Sequence, residues 1–197
     1  HRSADFMDRV PNVEKTGSPF DPPDVLMVPQ GTRNVALGKP VAGGEGAIII
    51  GRAEMITDGD KEIEPFVEWE PGLRHVTIDL QERYVVHAIS LWHYHKAPRI
   101  YFDVIVQIAD DASFRTGVTT VFNNDHDGSA GMGVGRDKHY VDTFRGKLIP
   151  VNAVRGRFIR LYSNGNDQNE LNQYLEVEVY GKPAAAGTTG QDAGRTP

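Results

Sequence analysis

Apolar residues recur with a period of two along most of this chain, and that one property restricts it to strands. Within residues 157–181, Ile159 and Leu161 give one strand an apolar face. After an Asn-rich break, Leu175, Val177 and Val179 alternate with Glu176 and Glu178. The alternation predicts a closing strand with one buried face and one acidic, solvated face. Val76, Ile78 and Leu80 alternate with Thr77 and Asp79, and Ile89 and Leu91 with Ser90 and Trp92. Phe102, Val104, Val106 and Ile108 alternate with Asp103, Ile105 and Gln107. No stretch of comparable length holds a helical period, and 21 Gly and 12 Pro punctuate the chain. Many short strands between turn signals predict an all-β sandwich or barrel. In a sandwich the loops gather at the two ends, so the Asn-rich loop, 164–172, falls at a rim, where ligands bind.

The 197 residues fit one domain with tails. Residues 1–33 are rich in turn formers (Pro11, Gly17, Pro19, Pro22, Pro23, Pro29, Gly31) and read as an extended lead-in on the domain surface or free of it. Residues 34–182 hold the periodic segments and form the domain. Residues 183–197 are Ala/Gly/Thr-rich and read as a flexible linker or frayed end. The chain starts at His1 rather than Met and shows no apolar leader, as expected of a processed or excised piece of a longer protein.

Composition removes several function classes. With 27 acidic and 21 basic residues the net charge is −6, and no basic stripe is present, which excludes a dedicated nucleic-acid binder. There is no cysteine, so disulfides, thiolate catalysis and Cys-based zinc sites are excluded. No apolar run reaches the length of a transmembrane segment. The chain lacks G-x-S-x-G and His-Glu-x-x-His, and the pair Glu68 and Glu70 reads as two solvated acids on one strand face. It is not expected to be an enzyme.

Six segments stand in order: NVALGKPV (34–41), ITDGD (56–60), VTIDLQERYVVHAISLW (76–92), YFDVIVQIADD (101–111), RFIRLYSNG (157–165) and YLEVEVYG (174–181). This series resembles the discoidin or coagulation-factor 5/8 type C domains, grouped with the family-32 carbohydrate-binding modules among galactose-binding-domain-like proteins. The resemblance implies an eight-stranded jelly-roll β-sandwich with ligand loops at one end. It also implies an accessory, non-catalytic role in binding glycans, phospholipid head groups or proteins, and a secreted or periplasmic location.

The Asp58-Gly59-Asp60 turn is the best metal candidate, since calcium takes hard oxygens from a loop that wraps it. Resemblance to calcium-bearing relatives implies the Asp58 side chain, the carbonyls of Met55, Asp60 and Ile63, and Glu176 from the last strand as ligands. An ordinary Asp-Gly turn is the alternative. His93 and His95 share parity with the inward Ile89 and Leu91 just where KAPR ends the strand, which brings both imidazoles to the rim near Arg99. In sugar-binding relatives a His and an Arg at this loop donate to hydroxyls, and Tyr94, Trp92 or Tyr101 can supply an aromatic platform. Packing over the sandwich end, or zinc on the His-x-His pair, are the alternatives. Asn164 and Asn166 complete the expected ligand set, since amides both donate and accept.

A long insert, 123–143, opens with Asn-Asn-Asp-His-Asp and continues through Gly128, Gly131, Gly133 and Gly135. It reads as a structured Ω-type loop with Asx-turns, with a second divalent ion on Asp125 or Asp127 as the alternative. The leading functional expectation is a calcium-stabilised carbohydrate-binding module that targets a partner domain to glycans. The rival is a structural or protein-interaction module of a larger extracytoplasmic protein or complex, with Met132 and Val134 as apolar contacts.

Overall fold

The computed structural model describes residues 10–15, 22 and 24–184. Among them are nine strands, β1 (Arg33–Asn34), β2 (Val41–Gly43), β3 (Ile48–Ile50), β4 (Val67–Trp69), β5 (Arg74–His93), β6 (Ile105–Ala109), β7 (Thr119–Asn123), β8 (Lys147–Ser163) and β9 (Asn172–Pro183). One 3₁₀ turn, Ala53–Thr57, precedes the Asp58 loop. All strand pairing is antiparallel.

Two long strands build both layers of a sandwich. β5 and β8 pair along almost their whole length, yet their halves take different neighbours. The first half of β5 pairs with β2, and the second half of β8 with β6, which continues to β7. The second half of β5 pairs with β9, which continues to β4 and β3. The corner is made where Gln81 adopts φ 68 in β5 and Ala153 adopts φ 53 in β8. A second irregularity, between Val86 and Ala88, exchanges the parity of β5. Val76, Ile78, Leu80, Tyr84 and Val86 face the core before it, and Ile89 and Leu91 after it. They meet Val106 and Ile108 of β6, Ile159 and Leu161 of β8, and Val177 and Val179 of β9. Burying each such side chain fully contributes about 1.5–3 kcal/mol.

The outer face of β9 is not solvated, contrary to the expectation from its alternation. Glu176 is 0% and Glu178 8% exposed. The Asp58 loop folds over this face: the Gly59 N–H donates to Glu176 Oε2 at 3.1 Å, and Lys61 Nζ lies 2.7 Å from Glu178 Oε1 and 4.9 Å from the Trp92 ring centroid. Period two reports which residues share a face. It does not report what covers that face. Glu68 likewise departs from its solvated reading: it is buried and accepts from the Gln173 amide at 2.5 Å.

Part of the lead-in is docked. Val13 pairs with His139, Glu14 bridges Lys147 at 2.7 Å, and the Pro11 carbonyl lies 3.0 Å from His139 Nδ1. Leu26 and Val28 line a cavity of about 300 Å³ with Ala88, Leu148 and Tyr180 on the outer face of the second layer. The remainder of the lead-in, residues 1–9, 16–21 and 23, lies outside the described residues, as does the expected linker beyond residue 184.

Candidate functional site

At one end of the sandwich, two loops are zipped together. The chain leaving β5 runs beside the loop between β8 and β9. Ile100 N–H donates to Asp167 Oδ1 (2.8 Å), Asp167 N–H to the Ile100 carbonyl (3.0 Å), Phe102 N–H to the Gly165 carbonyl (3.1 Å) and Asn164 N–H to the Phe102 carbonyl (2.9 Å). Asp103 at φ 50 breaks the alternation, so β6 starts at Ile105 and Phe102 sits in the loop. Gly165, at φ 73, allows the chain to turn against Glu170, where a Cβ would come within 2.9 Å of backbone.

The paired loops frame a pocket of about 560 Å³. Phe102 supplies an aromatic wall, Pro71 and Gly72 the opposite lip, and Asn164, Asn166, Asp167, Gln168, Asn169 and Glu170 the polar lining. Asn164 and Asn166 thus stand together as part of one concavity. Much of the amide chemistry is spent on the loop itself. Asn166 donates to Asn169 Oδ1 and the Leu171 carbonyl, and accepts from the N–H groups of Gln168 and Asn169. Asn172 donates to the carbonyls of Glu70 and Gly72, and accepts from Ser163 and Gly165. Asn164 donates to Asp103 Oδ2 at 2.8 Å.

The residues expected beside these lie outside the pocket lining. Tyr94 is half-buried, its ring centroid 4.6 Å from that of Phe66 and 4.7 Å from the Arg99 guanidinium carbon. Arg99 also donates to Gln173 Oε1, and His95 Nδ1 lies 3.1 Å from the His93 carbonyl. His93 itself is 0% exposed, stacked on Tyr101 at 4.2 Å and 3.3 Å from Asp142. Its parity with the inward residues carries it into the core, below the rim, where it has no surface for a ligand. Burial and the Asp142 charge push the hydroxyls of Tyr101 and Tyr174 well above the usual phenol range. Phe102 was not among the expected site residues, whereas Asp167, Gln168 and Glu170 lie in the Asn-rich loop expected at the rim, without a role assigned to each. Phe102 follows the alternation of a strand, and the only local mark against it was the Asp103 that ends that alternation.

The Gly59 N–H joins the Asp58 turn to Glu176, 117 residues further along the chain. Glu176 Oε1 is buried and accepts no hydrogen bond among the described residues. Burial first, then the charges of Asp58 and Glu178, push its carboxyl up to about 8. An orphaned buried oxygen beside the Asp58 charge is a donor arrangement that fits a hard cation. A second acidic group joins the insert to the rim: carboxylate oxygens of Asp103, Asp125 and Asp127 lie within 4.8 Å of one another, so the group can hold a metal ion. The same oxygens already organise the insert. Asp125 accepts from the N–H groups of Gly128, Ser129 and Ala130, and Asp103 from Ser129 and Asn164.

No protein-family model matches the sequence, and no curated protein matches it. Solved structures do match. Chitosan-binding module 1 of a chitosanase/glucanase from Paenibacillus sp. IK-5 is 18% identical, with 76% of this chain and 99% of that module covered at a TM-score of 0.55. The CBM32 of AlyQ, solved in complex with 4,5-unsaturated mannuronic acid, is 17% identical, with 71% and 92% covered at 0.52. The Streptococcus pneumoniae fucose-binding module SpX-3 is 16% identical, with 75% and 97% covered at 0.52. These are binding modules rather than catalytic domains, and the chain shares their galactose-binding-domain-like β-sandwich fold.

Proposed function

We propose that this chain is a non-catalytic carbohydrate-binding module whose glycan site is the rim pocket between residues 98–102 and 164–170. The observation that carries this reading is the pocket itself. An aromatic face, Phe102, stands against unspent amide and carboxylate groups, the pairing a sugar needs for its apolar and hydroxylated sides. Tyr94, His95 and Arg99, anchored on the same loop, extend the rim for further sugar units. Placement outside the cytoplasm and delivery of a partner domain to glycans belong to the same proposal. So does calcium at the Asp58 loop, held by Asp58, Glu176 and the carbonyls of Met55, Asp60 and Ile63. The ion would neutralise the buried Glu176 carboxylate and pin the loop to β9. The rival protein-interaction reading needs a wide apolar patch on the insert, but Met132 is half-buried there and leaves Val134 as its exposed large apolar side chain.

Each hydrogen bond traded against water yields about 0.5–1.5 kcal/mol, so single-module affinities should be weak and multimerised protein is needed for detection. A glycan array probed with multimerised protein should show binding to a limited set of sugars. Phe102→Ala should reduce the signal at least tenfold in protein that stays folded, with a modest loss of stability from removing a half-buried ring that packs edge-on against His139. Binding that survives Phe102→Ala undiminished places the site elsewhere.

A further inference from the structure

Three carboxylates and two imidazoles gather where the insert meets the chain entering β6. Carboxylate oxygens of Asp103, Asp125 and Asp127 lie within 4.8 Å of one another, and none of the three forms an ion pair with a Lys or Arg among the described residues. Asp125 spends its oxygens on three backbone N–H groups, which fixes the loop that carries His126 and Asp127. Asp103 is buried, and Asn164 and Ser129 both donate to its Oδ2, so Oδ1 is left over. An independent sign comes from His139, near the end of the insert, which is 1% exposed. Its Nδ1 lies 3.0 Å from the Pro11 carbonyl, which can only accept, so Nδ1 carries the proton and Nε2 a lone pair. That Nε2 is buried and meets no partner among the described residues. Burial pushes the ring below the usual His range, and among the charges that oppose the shift are those of Asp103 and Asp125. The exposed His126 completes the cluster: its ring centroid is 5.4 Å from that of His139, with the planes at 72°.

We propose that this cluster binds a first-row divalent ion of the zinc class, with Nε2 of His139 and the His126 imidazole as nitrogen ligands and Asp103 and Asp127 as oxygen ligands. Two imidazoles on one tetrahedral ion, each at about 2.0–2.1 Å, set their ring centroids about 5 Å apart, a spacing these two rings already approach. An Nδ1 proton held by a backbone carbonyl, with Nε2 left bare, is the arrangement that ligating histidines take. Calcium takes oxygen ligands and would leave the buried imidazole without a partner, so the mixed donor set favours a softer ion. His126 is exposed, and its ring can turn onto an ion that His139 and Asp103 hold from below. His139 also stands edge-on to Phe102, with centroids 5.8 Å apart, and Asp103 holds Asn164. The ion would therefore brace two residues of the rim pocket from behind.

The test is calorimetric titration of zinc at neutral pH into tag-free protein, stripped with chelator and returned to excess calcium so that the Asp58 loop stays in one state. One zinc should bind per chain, and cobalt in its place should give visible absorption bands that change when an imidazole is lost. His126→Ala and Asp127→Asn alter exposed side chains, and the asparagine keeps the oxygen that accepts from the Ser129 N–H. Each should weaken zinc binding at least tenfold while the thermal midpoint of the zinc-free protein stays unchanged. His139→Gln should abolish binding, and Glu176→Gln, at the other acidic group, should leave it intact. Absence of saturable zinc binding in calcium overturns the proposal. So does binding that keeps its full strength in both exposed variants.

Discussion

Chelating divalent ions from the purified protein is expected to lower its thermal midpoint by about 5–10 °C, and by more at pH 8 than at pH 6. A cation that binds only the native state at a hundredfold excess over Kd contributes about 2.7 kcal/mol, and each kcal/mol moves a domain of this size by about 2–4 °C. The pH dependence follows from Glu176, whose carboxyl is held up to about 8 by burial and by the charges of Asp58 and Glu178. A raised carboxyl favours the protonated form in the folded state. Without a cation, its contribution is full below the ordinary Glu range and is lost as pH rises through about 8, by up to roughly 1.4 kcal/mol per pH unit. Calcium takes the place of that proton, so its stabilisation grows over the same window. Differential scanning calorimetry with chelator, with and without added calcium, reads both effects, and Glu176→Gln should flatten them. A midpoint indifferent to chelator at both pH values makes the Asp58 loop a plain turn.

His93→Leu should destabilise the fold by about 1–3 kcal/mol, the range found when a buried polar group is left without its partner. His93 and Asp142 are both fully buried with 3.3 Å between Nδ1 and Oδ2, and neither Asp142 oxygen accepts a hydrogen bond among the described residues. Without His93 the carboxylate stays in the core with no partner. Asp142 also ties the insert to the rim, since its N–H donates to the Arg99 carbonyl at 2.8 Å. The double variant His93→Leu/Asp142→Leu should recover much of the loss, because two apolar side chains leave no buried polar group unpaired. Urea unfolding of the four proteins closes the cycle. Additive losses would show that the two side chains do not interact.

The strand architecture was legible because alternation is a property of the chain itself: β5, β6, β8 and β9 each carry it over several residues. The position of the Asn-rich loop at a rim followed from the same reasoning. The use of each amide did not, because an Asn that caps its own loop and an Asn that meets a ligand look alike until hydrogen bonds are counted. Asn166 proved to be saturated by its own loop, and Asn164 to keep one oxygen. His93 followed the parity it was given, and that parity leads inward. Phe102 was hidden by the opposite effect, since it looks like a strand residue until Asp103 turns the backbone. The burial of Glu176 depends on a loop more than a hundred residues away, which no local pattern encodes.

Amide chemical-shift mapping on ¹⁵N-labelled protein, titrated with whichever oligosaccharide gives the strongest array signal, tests the rim pocket most directly. Perturbations are expected to cluster at Gly72, Phe102 and residues 164–170, to fade toward Tyr94 and Arg99, and to vanish in Phe102→Ala. Perturbations confined to the insert around 125–135, or none at millimolar oligosaccharide, would contradict a glycan site between these two loops.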